Sequence, residues 1–258
     1  MNIGQWTCPA SNADVSKADA STPDASAVRS AADPITVPWS TGFENRFCDY
    51  SQPSGFCTEP PQYTIVSSPT KSGHYAAAFN VVGDGEDGGT AQQSRCVRQG
   101  VLPKQAYYGA WYYVPTTATN HALWNLIHFQ GADSPTAIPH GIWDVSLTNG
   151  VDGRLNLLVL RFLWPGSPAA HILNGPPIPI GSWFHIEFYL RRAKDATGRA
   201  ALYQDGVLVV DFPNVITDDT DWGQWYVGNL ATSLSPPEST LYVDDITIAS
   251  TLGWTPPP

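Results

Sequence analysis

The stretch WFHIEFYLRRAKDATGRAALYQDGVLVVD, residues 183–211, decides the fold. Its first half alternates apolar with polar residues, and a period of two is typical of a strand with one buried face. The apolar positions are Phe184, Ile186, Phe188 and Leu190. Further along, Asp205-Gly206 separates two more strand-like runs, and this dipeptide favours the tight type I′ turn of a β-hairpin.

The rest of the chain repeats this pattern. About a dozen short apolar or alternating runs follow one another, separated by Gly, Pro, Asn and Asp, with no amphipathic helix between them. They include SRCVRQ (94–99), ALWNLIHFQ (122–130), GIWDVSL (141–147) and TLYVDDITIA (240–249). The sequence therefore predicts an all-β fold, an antiparallel β-sandwich or barrel.

The domain organisation follows from a change in composition. Residues 9–35 are rich in Ala, Ser, Asp and Pro and contain no aromatic side chain. Such a segment buries too little apolar surface to offset its loss of conformational entropy. We predict a flexible tail or linker over residues 1–37 and a single β-sandwich domain over residues 38–258.

Charge and hydropathy exclude several classes of protein. The chain has 13 Lys and Arg against 23 Asp and Glu, a net charge of −10. Nucleic-acid binding requires clustered cations, so no nucleic-acid partner is expected. No run of about 18 apolar residues is present, so no membrane-spanning helix is expected. The profile is typical of an extracellular module, and a secreted or cell-surface location is predicted although no leader is visible in the first residues.

The four cysteines of the chain bear on the predicted location, because disulfides form in oxidising compartments. Cys48 and Cys57 bracket a short turn-rich loop, and we predict a disulfide between them; the alternative is a pair of free thiols. Cys96 lies in a predicted strand, where it either pairs with Cys8 or stays buried and free.

Two strands carry candidate ligand-binding residues. In residues 183–191, His185, Glu187 and Tyr189 share the face opposite the apolar one. That face is either solvated or the floor of a groove that hydrogen-bonds a polar ligand.

The second candidate strand is residues 122–130, where alternation puts Trp124, Leu126, His128 and Gln130 on one face. An indole stacks on a sugar ring, and His and Gln bind its hydroxyl or carboxylate groups. The alternative is a core Trp with a hydrogen-bonded His. Arg161 lies among apolar residues and therefore requires a partner or a site.

The metal prediction rests on carboxylates near both ends of the domain. Glu44, Asp244 and Asp245 offer hard oxygen ligands that suit Ca²⁺. By alternation Tyr242, Asp244, Ile246 and Ile248 share one face, with Asp245 opposite. We predict a structural calcium site involving Glu44 and Asp245, and no organic cofactor.

These residues resemble a known family. Trp183, Glu187, Gly198 and Asp205-Gly206 are similar to the closing strands of concanavalin-A-like jelly-roll proteins. The terminal runs TGFEN and YVDDITIA look like that group's paired end strands. The resemblance covers roughly residues 40 to 250 and implies a jelly-roll sandwich.

Within that group the chain most resembles polysaccharide lyases of the heparin-lyase-I, alginate-lyase and glucuronan-lyase type. These carry an Arg-bearing strand, a Gln-x-His strand and a Tyr on a concave sheet. The resemblance implies His128, and Arg98 or, less well, Arg95. The Tyr is assigned by parity as Tyr189, with Tyr203 as the alternate. Leu126 stands at the family's Gln position, and Gln130 is the substitute on the same predicted face.

The implied activity is β-elimination of a uronic-acid-containing glycan. Arg98, His128 and an amide would neutralise the carboxylate, and Tyr189 or His128 would remove the C5 proton. Substrate binding is assigned to Trp124, Gln130, His185, Glu187 and Arg161. A non-catalytic carbohydrate-binding module using the same face is the main alternative, a structural surface domain is another, and a monomer is expected.

Overall fold

The structure is a computed structural model of the 258-residue chain. It describes residues 35–50, 54–57, 63–82, 92–134, 137, 139–163, 173–218 and 220–253. The prediction of a tail over residues 1–37 falls almost wholly outside this part of the chain. In the described residues no helix is long and apolar enough to span a membrane.

One layer of the fold, which we call sheet A, contains eight strands. Seven of them lie in the order β14-β13-β12-β6-β17-β4-β3, and β1 pairs with β17. The bounds are β1 Trp39–Thr41, β3 Tyr63–Val66, β4 Ala76–Val82, β6 Gln105–Tyr113, β12 Trp183–Arg191, β13 Gly198–Gln204, β14 Val207–Val215 and β17 Glu238–Ala249.

The second layer, sheet B, contains seven strands in the order β11-β10-β9-β8-β15-β5-β2. The bounds are β2 Gly55–Cys57, β5 Gln92–Val101, β8 Trp124–Ala132, β9 Gly141–Asn149, β10 Leu155–Leu163, β11 Leu173–Pro177 and β15 Trp222–Ala231. A small ribbon joins β7 (Thr119–Asn120) to β16 (Leu234–Ser235), and a 3-10 turn covers Cys48–Tyr50.

Both sheets are antiparallel and enclose one apolar core. From sheet A, alternate residues of β12 and β6 point inward, as the alternation in residues 183–191 predicts. From sheet B, Trp143, Val145, Leu147, Trp225 and Val227 point inward to meet them. Burying each such side chain contributes about 1.5–3 kcal/mol. The predicted all-β antiparallel sandwich of jelly-roll type is confirmed.

The predicted hairpin joins β13 and β14. Asp205 and Gly206 adopt φ values of 49° and 76°. Positive φ at both central residues is the requirement of a type I′ turn, and it explains why this dipeptide stands here.

A β-bulge in β17 overturns the predicted face of the acidic pair. The ladder to β6 shifts between Asp244 and Thr247, and Asp245 has a φ of 44°. A bulge adds one residue and reverses the alternation after it. Ile246 and Ile248 therefore point into the core while Tyr242 points outward, so these three do not share a face.

A second bulge lies in β8, where the ladder to β9 shifts between Asn125 and Ile127. His128 and Gln130 keep the outward face, whereas Trp124 and Leu126 join the core between the sheets. The prediction that these four residues share one face is wrong for the same physical reason.

The predicted Cys48–Cys57 disulfide is also wrong. Cys57 is bonded to Cys96, which faces it directly across the β2–β5 ladder. Cys48 is itself disulfide-bonded, but to a different residue. Strand pairing between β2 and β5 thus selects a partner far along the chain over the nearer cysteine.

Candidate active site

The outward face of sheet B carries a cluster of polar side chains on four adjacent strands, β5, β15, β8 and β9. His128 stands opposite Asp144 in the β8–β9 ladder, and their Nδ1 and Oδ1 atoms are 2.6 Å apart. Both side chains are about nine-tenths buried. A short contact to a carboxylate in such surroundings fixes the orientation of the imidazole ring.

A chain of amides leads away from this histidine. His128 Nε2 lies 3.1 Å from Gln130 Oε1. Gln130 donates from Nε2 to Gln224 Oε1 at 3.1 Å, and Gln224 donates to Gln99 Oε1 at 3.0 Å. These three glutamines, which we call the relay, lie on β8, β15 and β5 in one register row.

The direction of the relay is tied to the protonation of the histidine. When Gln130 Oε1 faces His128, the Nε2 atom of the imidazole must donate a hydrogen bond, while Nδ1 faces Asp144. If the amide groups of the three glutamines turn over together, Nε2 accepts a hydrogen bond from Gln130 and only Nδ1 donates. An amide presents either a donor or an acceptor on turning, so the row is compatible with both forms of His128.

Tyr226 on β15 lies against the same histidine. Its ring stacks on the His128 ring with centroids 4.8 Å apart and an interplanar angle of 13°. The Arg95 guanidinium lies 4.7 Å from the Tyr226 centroid. Burial raises the pKa of the Tyr226 hydroxyl well above its usual range; Asp144 adds to this and Arg95 opposes it. The phenol is therefore protonated at neutral pH.

Two further polar atoms are buried beside the cluster. Asn125 pairs with Ser146 one step along the ladder from His128 and Asp144. Asn125 Oδ1 and Ser146 Oγ are both buried and lack a hydrogen-bond partner among the described residues. An unsatisfied buried polar atom costs about 1–3 kcal/mol, and such costs are typical of sites that bind a ligand.

Three residues predicted for the site lie instead between the sheets. Arg98 pairs in register with the core residue Trp225 and donates to the Asp49 carbonyl at 3.2 Å. Trp124 donates from its indole to Asn229 Oδ1 at 3.0 Å. Arg161 shares the face of Trp143 and donates to the Ile216 carbonyl at 2.6 Å. All three side chains therefore lie away from the outward face of sheet B and do not join His128 there; Arg98 Nε and Arg161 Nε are buried without a hydrogen-bond partner among the described residues.

Three others lie on the outward face of sheet A. His185, Glu187 and Tyr189 alternate with the inward residues of β12. Glu187 is wholly buried and accepts a hydrogen bond from Gly253 N–H at 2.7 Å. Because the full thickness of the sandwich separates this face from His128, these residues and His128 do not line one cleft. The alternate, Tyr203, pairs with Glu187 on the same sheet.

Of the assigned residues, the outward face of sheet B thus brings together His128 and Gln130, and it adds others. Arg95, the less favoured arginine of SRCVRQ, is the one that points outward beside Tyr226. Tyr226 and Asp144 were not assigned by the sequence. Alternation in QWYVGNL and GIWDVSL does put both opposite the core residues of their strands, but only the ladder shows that the two strands flank His128.

The carboxylates considered for calcium binding accept hydrogen bonds from residues 71–75, the segment that precedes β4. Glu44 Oε1 accepts hydrogen bonds from the N–H groups of His74 and Tyr75 at 2.8 and 3.0 Å. Asp244 accepts from Lys71 N–H at 2.8 Å, and Asp245 accepts from the Ser72 hydroxyl at 2.8 Å.

These carboxylates are thus partly satisfied by donors of the protein. In the described part of the chain no group of three or more His, Cys, Asp or Glu side chains is arranged to hold a metal ion. Calcium also takes carbonyl and hydroxyl oxygens, so the site at Glu44 and Asp245 stays a prediction.

Comparisons with known proteins agree on the fold. The glucuronan lyase of the fungus Trichoderma reesei, an endo-β-1,4-glucuronan lyase, aligns with 76% of this chain and 90% of its own at 17% identity, with a TM-score of 0.57. The marine alginate lyase of Aplysia kurodai aligns with 83% of this chain and 98% of its own at 9% identity, with a TM-score of 0.60. A cellulose-induced protein, Cip1, aligns with 84% of this chain and 100% of its own at 18% identity, with a TM-score of 0.51.

No family model and no curated protein matches the sequence. The fold is therefore that of the jelly-roll polysaccharide lyases, as the resemblance predicts. At 9–18% identity the likeness establishes the fold alone.

Proposed function

We propose that this protein is a polysaccharide lyase that cleaves a uronic-acid-containing glycan by β-elimination on the outward face of sheet B. The observation that carries the proposal is the juxtaposition of His128, Asp144, Tyr226 and Arg95. It supplies an oriented base, a protonated phenol and a cation within one cluster.

The first requirement of β-elimination is to acidify the C5 proton of the uronate. The Arg95 guanidinium and the Gln130 amide bind the carboxylate and stabilise the negative charge that develops when C5 loses its proton. Gln130 is hydrogen-bonded to Gln224, so its amide group is held in position for this role.

The second requirement is proton transfer on both sides of the breaking bond. With the amides of the relay turned over so that Nε2 carries no proton, His128 Nε2 takes the C5 proton, and Asp144 at Nδ1 stabilises the imidazolium that results. The C4–O4 bond breaks as the C4–C5 double bond forms. Tyr226, which is protonated at neutral pH, gives its proton to the leaving O4 oxygen.

Loss-of-function variants with a matched control test this assignment. His128→Ala and Tyr226→Phe should each lower turnover by about 100-fold or more, measured as absorbance of the unsaturated uronate product. Tyr189→Phe removes the same hydroxyl from the opposite sheet and should leave turnover unchanged. Loss of activity in Tyr189→Phe with activity retained in Tyr226→Phe would reverse the assignment.

The alternative is a carbohydrate-binding module with no chemistry, favoured by the burial of Tyr226 to 2% exposure. It predicts retained binding on a glycan array with no unsaturated product from any uronate polymer. A secreted location is part of the proposal, since the Cys57–Cys96 disulfide is typical of oxidising compartments.

A further inference from the structure

The outward face of sheet B is nearly free of cations. Among the described residues, Arg95 is the one Lys or Arg whose side chain points outward from a strand of this sheet. The other outward polar groups of the cluster are amides, a hydroxyl, a phenol, one imidazole and one carboxylate. They are Gln99, Asn125, His128, Gln130, Asp144, Ser146, Gln224 and Tyr226.

The remaining cations are held elsewhere. Arg98 and Arg161 lie between the sheets, and Arg192 is buried against Asp218. Lys71, Arg191 and Arg199 lie on the side of sheet A. Arg46, Lys104, Arg154 and Lys194 stand in the connections between strands.

The undescribed segments contain few cations. Of the 13 Lys and Arg of the chain, only Lys17 and Arg29 fall there. The segment that precedes β5, the strand of Arg95, contains Asp84, Glu86 and Asp87. The chain therefore has a net charge of −10, and Arg95 is the one cation that the described strands of sheet B present on their outward face.

A polymer with a carboxylate on every sugar fits this face poorly. Arg95 can neutralise one carboxylate, at the sugar that loses its proton. Carboxylates on the neighbouring sugars would lose water without gaining a charged partner, which is costly. The protein's overall negative potential would also slow the approach of a polyanion.

We infer that the substrate is a glycan in which 4-linked uronates are isolated among neutral sugars; the inference rests on the proposed function. Arg95 receives the single carboxylate. Next to Gln130 in the same register row, Gln224 and Gln99, whose amides both donate and accept, receive hydroxyl groups of a neighbouring neutral sugar. The opposite class, polymers built of uronates alone, is represented by glucuronan and alginate, the polymers after which the lyases that share the fold are named.

The test compares two kinds of polymer with the full chain. One is deacylated gellan, in which each glucuronate is followed by several neutral sugars; the other is a glucuronate homopolymer. We expect kcat/KM for unsaturated-product release to be about tenfold higher or more on gellan. Added salt should raise the rate on the homopolymer, because it screens repulsion. A preference for the homopolymer that falls with salt would overturn the inference.

A charge insertion sharpens the test. Gln99→Lys adds a cation beside the relay and should raise kcat/KM on the homopolymer several-fold relative to gellan. Gln105→Lys adds the same charge at an exposed position of sheet A and should change neither rate. If Gln99→Lys folds and shifts neither substrate, the flanking charge does not select the substrate and the inference is wrong.

The experiment distinguishes failure of the proposed lyase function from failure of the inferred substrate class. If neither polymer yields unsaturated product, the lyase function is wrong. Affinity electrophoresis in gels containing each polymer then still decides the substrate class, since the inference expects stronger retardation by gellan, and stronger retardation by the homopolymer contradicts it.

Discussion

At the scale of single residues, Asp144 sets the orientation of the His128 ring. It touches no substrate atom in the proposed reaction, so it is a positioning residue that holds Nδ1 at 2.6 Å and stabilises the protonated ring. Its neighbours along β9, Trp143 and Val145, are core residues, which gives the carboxylate little freedom to move away.

We therefore expect Asp144→Asn to lower kcat by roughly 100-fold with little change in KM. The amide keeps the shape but neither stabilises an imidazolium nor enforces the same ring tautomer. The pH–rate profile on gellan should change shape as well, which a purely structural effect would not produce. Asp152→Asn, in an exposed turn where the carboxylate pairs with Arg154, is the control. An unchanged kcat in Asp144→Asn would remove the dyad from the mechanism.

At the scale of elements, the central strand β6 depends on one missing side chain. Gly109 lies beneath His185 and Glu187, and a Cβ there would meet Glu187 Cγ at 2.9 Å, Thr247 Oγ1 at 3.0 Å and His185 Nε2 at 3.2 Å. Since His185 and Glu187 are buried, these atoms have little room to shift.

Gly109→Ala should therefore lower the free energy of unfolding by about 1–3 kcal/mol, measured by chemical denaturation. Adding Thr247→Ala should recover part of the loss, because it removes one of the three contacts. The activity proposed for this protein should persist in the folded fraction, since the proposed site lies on sheet B. Wild-type stability in Gly109→Ala would show that the space above this glycine is larger than described.

The disulfide ties edge strand β2 to β5, the strand that carries Arg95. It closes a segment with a sequence separation of 39 residues. Loop-closure entropy then predicts that Cys57→Ser with Cys96→Ser costs about 4 kcal/mol of stability. The measurement is thermal unfolding of the double variant. A change below the error of that measurement would mean that strand pairing alone fixes β2.

Predictability from the sequence also differs between elements. Alternation assigned both faces of β12 correctly, because that strand runs without a bulge from Trp183 to Arg191. It failed in β8 and β17, where an extra residue reverses the faces, and a bulge leaves little signal in one sequence. The family resemblance ranked Arg98 over Arg95 because it identifies a strand but does not say which face of that strand carries the arginine.

At the scale of the molecule, the two outward faces have different chemistry. Sheet B carries the proposed site. Sheet A carries a buried histidine and carboxylate under an aromatic cover, with the Trp111 ring 5.1 Å from His185 and Lys71 4.1 Å above Trp111. The sequence could not separate them, because both faces read as polar groups alternating with core residues. Only the sandwich topology puts them on opposite sides.

This second face predicts how the whole fold responds to acid. Burial, and to a smaller extent Lys71, lowers the pKa of His185 to about 4; Glu187 Oε2, 3.9 Å from Nδ1, does not reverse the shift. The unfolded chain binds a proton at His185 near pH 6.5. The folded state resists protonation, so the stability that neutral His185 contributes is complete above pH 6.5 and is lost as the pH falls toward 4.

Linkage sets the size of that loss at about 3 kcal/mol. His185→Gln, which cannot be protonated, should lose less stability than the wild type between pH 7 and pH 4.5, whatever its stability at pH 7. The measurement is urea denaturation at both pH values, and the quantity compared is the difference within each protein, which cancels any packing defect of the variant. His74→Gln replaces an imidazole on an exposed loop and should follow the wild type. Equal acid losses in His185→Gln and the wild type would mean that His185 is protonated in the folded protein as readily as in the unfolded chain.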